Sequence, residues 1–132
     1  MKIRINIVPN DINTVAKIVI VDNKGRVLFL KRSDYMSKFA GEWDLPGGHL
    51  KTNESLFAGL KREVEEETGL SISEPKLIDI DNNLHFFHCN YDSRKVEISH
   101  EHTEYRFFEK EELDPEQKFQ KVAIRALEMR DD

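Results

Sequence analysis

The chain has 132 residues, enough for one domain with a substantial buried core. Apolar residues make up 39% and charged residues 34%, a globular rather than a disordered composition. Twenty Lys and Arg against 25 Asp and Glu give a net charge of −5, which argues against a general nucleic-acid binder. Cys89 is the only cysteine, so no intrachain disulfide and no cysteine-based zinc site is expected. The first nine residues alternate Ile with polar residues and lack the apolar stretch of a secretion signal. No segment approaches the ~20 apolar residues that cross a bilayer. The expectation is a cytoplasmic chain, one domain over 1–132, without a membrane partner and acting as a monomer or homodimer.

Thr14 to Val21, TVAKIVIV, is a β-branched run that predicts a buried strand. Asp22-Asn23-Lys24-Gly25 supplies turn chemistry, and Arg26 to Leu30 returns as the second strand of a hairpin. Ser33 to Trp43 reads as a polar loop with scattered aromatics. After Gly47-Gly48 the pattern turns helical over Ser55 to Thr68, with Asn53 or Ser55 as cap and Gly69 as the terminating residue. Phe57, Leu60 and Val64 give that helix an apolar stripe. Lys76 to Asp81, Leu84 to Tyr91, Lys95 to Ile98 and Thr103 to Phe108 read as strands. Asp114-Pro115 suits the start of a last helix, with Phe119, Val122, Ala123, Ala126 and Leu127 facing inward. Strands mixed with two helices predict an α/β fold, a mixed sheet covered on its faces.

The chemistry concentrates between Gly48 and Leu70. Glu63, Glu66 and Glu67 stand at i, i+3 and i+4, so a helix places them on one face. Two of them form a like-charge i, i+4 pair, which costs roughly 0.2–0.5 kcal/mol. Their place in the last turns adds roughly 0.3–1 kcal/mol, because the helix dipole disfavours anions there. A solvated acidic face tolerates both costs, so the three glutamates alone leave surface and metal site equally open. Hard cations such as Mg²⁺ would remove the repulsion, since they take a few carboxylates together with phosphates and water.

The neighbouring residues separate these readings. Gly48 is followed after five residues by Glu54, and Glu54 after seven by Arg62-Glu63; apolar Val64, Glu66-Glu67, Gly69 and Leu70 complete the series. This resembles the signature of the Nudix hydrolases at every fixed position. Glu42-Trp43-Asp44-Leu45-Pro46-Gly47-Gly48, the strand ending Lys31-Arg32 and the segment Glu104 to Phe108 look like the family's surrounding pattern. The resemblance implies a Nudix-type α/β/α sandwich with a mixed sheet. It also implies hydrolysis of nucleoside diphosphate linkages, with Mg²⁺ or in its place Mn²⁺ as cofactor. The likeness gives Glu63, Glu66, Glu67 and the Gly47 carbonyl as metal ligands, and gives Arg62 and Glu54 as a pair that orients the glutamates.

Glu63, Glu66, Arg62 and Glu101 are thus the candidate catalytic residues, with Glu104 behind Glu101 as general base. Lys31, Arg32, Gly48, His49 and Phe87 are candidates for substrate contact, Phe86 and Phe87 lying on opposite strand faces. Trp43 reads as packing under the site loop. The five histidines lack zinc spacing and read as mostly surface. The small chain resembles the MutT-like group, whose substrate is a nucleoside triphosphate, ordinary or oxidised. ADP-ribose, a nucleotide sugar, a dinucleoside polyphosphate and the 5′ end of RNA are alternatives, as is a non-catalytic ligand-binding module.

Overall fold

The protein is described by a computed structural model over residues 13–35 and 39–130. The β-branched run forms β1 (Val15–Val21), buried on both faces along its whole length. Asp22 Oδ1 accepts hydrogen bonds from the amides of Lys24 and Arg26, and this turn leads into β2 (Val27–Arg32). The two strands pair only at their turn end, Val21 opposite Val27, and then splay apart.

The gap is filled by one short segment. Its first part, β3 (Trp43–Asp44), pairs with β2, and its second part, β4 (Gly47–His49), pairs with β1. The hairpin expected from sequence is therefore wedged open by the residues that carry Gly47. On its other edge β1 pairs in parallel with β6 (Leu84–Asn90), which pairs antiparallel with β5 (Lys76–Asp81). On the other edge of β2, β7 (His102–Phe108) pairs antiparallel, with a bulge at Lys31/Arg32. The result is a mixed seven-stranded sheet.

Two helices cover it. Ile18, Ile20, Leu28, Leu30 and Phe87 point to one face and meet Leu56, Leu60 and Val64 of α1 (Leu56–Thr68). Val19, Val21, Val27, Phe29 and Phe86 point to the other and meet Ala123, Ala126 and Leu127 of α2 (Lys118–Arg130). The period-2 alternation of the strands thus feeds two cores, one under each helix. Ser55 caps α1, its hydroxyl accepting from the Ala58 amide at 3.1 Å, and Gly69 ends the helix at φ 73°.

Two expected elements differ. Lys95 to Ile98 joins no strand; the amides of Glu97 and Ser99 donate instead to the carbonyls of Thr68 and Glu67 at 2.9 and 3.1 Å. Those carbonyls lie in the last turn of α1 and have no partner within the helix, so this segment satisfies them. The last helix begins at Lys118 rather than at Asp114-Pro115. Asp114 caps a turn, its carboxylate accepting from the Glu116 amide at 2.9 Å, and the Gln117 carbonyl then accepts the Lys121 amide at 2.8 Å.

Candidate active site

The three glutamates of α1 differ in burial. Glu66 is exposed, Glu63 is half-buried, and Glu67 retains 8% exposure. Arg62 connects the outer two to the preceding loop. Its Nε and Nη2 donate to the two Glu54 carboxylate oxygens at 2.8 and 3.0 Å, a bidentate pair. Its Nη1 donates to Glu63 at 3.0 Å and to Glu66 at 3.2 Å, and Nη2 also donates to the His49 carbonyl at 3.1 Å. This arrangement holds Glu54 well below the usual carboxylate range, chiefly through the Arg62 hydrogen bonds.

Glu67 is tied to the loop on the other side, accepting the Gly47 amide at 2.8 Å. Burial pushes its carboxyl up to about 8; the Lys17 charge and the Gly47 amide oppose the rise, while Glu63 and Asp44 add to it. Burial also raises Glu63, with Arg62 opposing and Glu66 adding. Gly47 must be glycine here. Its φ is 126°, and a Cβ would lie 2.1 Å from the Ala16 carbonyl oxygen. A Cβ on Gly48 would sit 2.7 Å from a Glu63 carboxylate oxygen, so backbone and carboxylate approach closely.

Gly47, Gly48 and Glu63 border a cavity of about 510 Å³. Its polar lining includes Glu63, His49, Glu101 and Arg32, and Val15, Trp43, Leu84 and Phe119 supply apolar walls. Beneath lies a buried charge pair that the sequence reading missed. Lys17 Nζ donates to Asp44 Oδ2 at 3.0 Å, to the Leu45 carbonyl at 3.2 Å and to the Gly47 carbonyl at 3.1 Å. Arg32 approaches the same Asp44 oxygen at 3.4 Å, and Asp44 Oδ1 is a buried acceptor without a hydrogen-bond partner. A cation inside the apolar run of β1 was the available signal, since a buried lysine requires a partner.

The family model described as NUDIX domain matches residues 12–128. The chain belongs to the Nudix family.

Among curated Nudix relatives, an 8-oxo-dGTP diphosphatase of Buchnera aphidicola subsp. Schizaphis graminum is 33% identical over 87 residues, covering 65% of this chain and 58% of its own. A MutT-like protein of Streptomyces ambofaciens is 38% identical over 65 residues, 49% of this chain and 39% of its own. The chain thus spans about half the length of these relatives. The solved structure of a MutT protein from Methanosarcina mazei Go1 superposes with a TM-score of 0.71 at 26% identity, covering 91% of this chain and 95% of the other.

Against the sequence expectations, the structure gathers Glu63, Glu101, Arg32, Gly47, Gly48 and His49 around one cavity, with Arg62 and Glu67 bonded to its walls. Glu104 and Lys31 pair across β7 and β2 and do not line it. Phe87 is a correction: it is fully buried in the core beneath α1, because its strand position alternates to that face, and it lines no part of the cavity. Phe86 is buried on the opposite face, so neither ring reaches the site. The surface reading of the histidines fails for His88 and His102, both buried. Trp43 packs edge-on against Phe108, ring centres 5.1 Å apart, and also borders the cavity.

The donor set suits the hard divalent cation that Nudix membership implies: carboxylates and a backbone carbonyl, among them Glu63 and Glu67, whose ionised form burial disfavours. Among the described residues no group of three His, Cys, Asp or Glu side chains is arranged to hold an ion alone. Water and substrate phosphate oxygens would complete the shell, as is usual for Mg²⁺. Among the described residues no helix is long and apolar enough to cross a membrane.

Proposed function

We propose that this chain is a divalent-cation-dependent pyrophosphohydrolase that cuts a nucleoside triphosphate, ordinary or oxidised, to the monophosphate and pyrophosphate. The observation that carries this reading is the Arg62 hub, which ties Glu54 and Glu66 to Glu63, a carboxylate that lines a cavity with apolar walls. Glu63 with its Arg62-bonded neighbours suits cation-bridged phosphates, and the walls of Val15, Trp43, Leu84 and Phe119 suit a planar base. The relatives from Buchnera aphidicola and Proteus vulgaris, both 8-oxo-dGTP diphosphatases, support the triphosphate reading.

Glu63, Glu66, Glu67 and the Gly47 carbonyl would hold the cation, Mg²⁺ or Mn²⁺. Once bound, such an ion neutralises phosphate oxygens and acidifies a water. Arg62 fixes the carboxylates before substrate arrives, so little reorganisation is left for the reaction. Glu101 lines the same cavity as Glu63 and accepts the proton of the attacking water as a new P–O bond forms and pyrophosphate leaves. His49 and Arg32, at the cavity wall, contact the phosphates.

The test is a panel of ordinary and oxidised nucleoside triphosphates, ADP-ribose, nucleotide sugars and dinucleoside polyphosphates, incubated with Mg²⁺ or Mn²⁺ and read by mass. Triphosphate turnover releasing pyrophosphate, lost in Glu66→Gln, is the expected result. Preference for another class would replace the substrate but keep the reaction. Silence with both ions would overturn the enzyme reading and favour a binding module.

A further inference from the structure

Lys17 is the only charged residue in β1 and its side chain is buried. An ammonium has three protons, and here each has an acceptor: Asp44 Oδ2, the Leu45 carbonyl and the Gly47 carbonyl, all within 3.2 Å. Only the first is an ion pair. The third sets a full positive charge on the carbonyl that the proposed function gives to a divalent ion.

The same residue also faces a buried carboxylate. The Gly47 amide donates to Glu67 Oε1, so Lys17 and Glu67 address opposite ends of one residue. Arg62 donates to Glu54, Glu63 and Glu66, leaving Lys17 as the strongest opposing charge on Glu67. If Lys17 releases the Gly47 carbonyl, Asp44 Oδ2 and the Leu45 carbonyl remain as partners. The ammonium therefore has two bonded states within one short swing.

We propose that Lys17 is a resident counter-cation of the metal site, which shares the Gly47 carbonyl with the divalent ion and yields it on binding. The inference rests on the cation-dependent reading above. It assigns Lys17 a positioning role: without the ion it keeps the loop from Asp44 to Gly47 in place against Glu67, and with the ion it lowers the affinity by like-charge repulsion. The loop is then preformed without metal, at the cost of weaker metal binding.

The experiment compares wild type, Lys17→Met and Lys17→Met/Asp44→Asn at one fixed pH. The double variant removes the buried carboxylate that the single one leaves, among the described residues, with Arg32 alone as its cation. Calorimetric titration with Mn²⁺ gives the dissociation constant, and thermal unfolding is followed in chelator and in Mn²⁺. Removing the ammonium should lower the midpoint in chelator, tighten the dissociation constant by roughly fivefold or more, and enlarge the midpoint rise on adding Mn²⁺. Unchanged or weaker affinity in both variants overturns the proposal, because Lys17 would then only pack the loop or aim the carbonyl. Wild-type protein that takes up no ion overturns this proposal and the cation-dependent function together. Wild-type uptake with unaltered variants overturns this proposal alone.

Discussion

Arg62 directs its guanidinium at three carboxylates and one carbonyl, a geometry that a lysine cannot reproduce from a single ammonium. Arg62→Lys should therefore lower kcat by about 10–100-fold, the range typical of lost support behind metal ligands, with KM changed much less. Steady-state kinetics on the triphosphate substrate checks this; an unchanged kcat would remove Arg62 from the machinery. Glu67 offers a stability test. Its folded pKa of about 8 lies above the ordinary 4.5, so its favourable contribution is complete below 4.5 and is lost as pH rises through about 8. In chelator at pH 8, Glu67→Gln should raise the thermal midpoint by several degrees, and the gain should vanish near pH 4.5, while turnover is abolished. Gly47→Ala acts in the opposite sense: the left-handed φ and the clash with the Ala16 carbonyl should cost about 3 kcal/mol or more in denaturant unfolding. The residues of this site were legible wherever spacing along one helix fixed them, as for Glu54, Arg62 and the three glutamates. Lys17 and Asp44 were not, because 27 residues separate them and only the sheet brings them together. Phe87 was misjudged for a related reason: alternation places two phenylalanines on opposite faces, but both faces of this sheet are covered.

At the scale of elements, α1 was readable to its caps, since Ser55 and Gly69 act through local backbone geometry. Ser55→Ala should cost about 1 kcal/mol, measured as a shifted urea midpoint at constant slope. The stretch Lys95 to Ile98 was unreadable as what it is. Its alternating KVEI pattern suits a strand, yet its amides serve the carbonyls at the end of α1, a partner no local pattern announces. The start of α2 was displaced by the same kind of competition, Asp114 closing a turn ahead of the helix. Both errors fall where a backbone group found a partner other than the regular one, a distant helix end for Glu97 and Ser99 and the nearby Asp114 carboxylate for Glu116. The elements whose signals were periodic, β1, β5, β6 and both helical faces, came through nearly intact.

Across the whole molecule, two buried histidines link stability to acidity. Burial lowers the pKa of His88, with Arg130 and Lys76 adding, and burial lowers that of His102 against the opposing charges of Asp44 and Glu101, with Lys17 and Arg32 adding. Each folded value lies below the ordinary 6.5, so the unfolded chain binds protons first; stability is complete above pH 6.5 and declines as pH falls through the folded values. Between pH 7 and 5 this contribution falls while that of Glu67 rises, so His88→Gln with His102→Gln should raise the thermal midpoint over wild type more at pH 5 than at pH 7; an equal difference at both would refute the assignment. The wedge that splays β1 from β2 bears on how such a protein changes over generations. Trp43 to His49 is hydrogen-bonded to one strand at its start and to another at its end, so its length is locked by two ladders at once. A residue gained or lost there would shift Gly47 away from Glu67 and Lys17 together. Among the described residues just before it, Ser33 to Tyr35, Phe39 and Ala40 join neither ladder, yet Phe39 lines the cavity wall. Insertions and deletions in lineage descent therefore have one open position beside the substrate and one closed position beside the chemistry, and specificity can drift while the reaction is inherited.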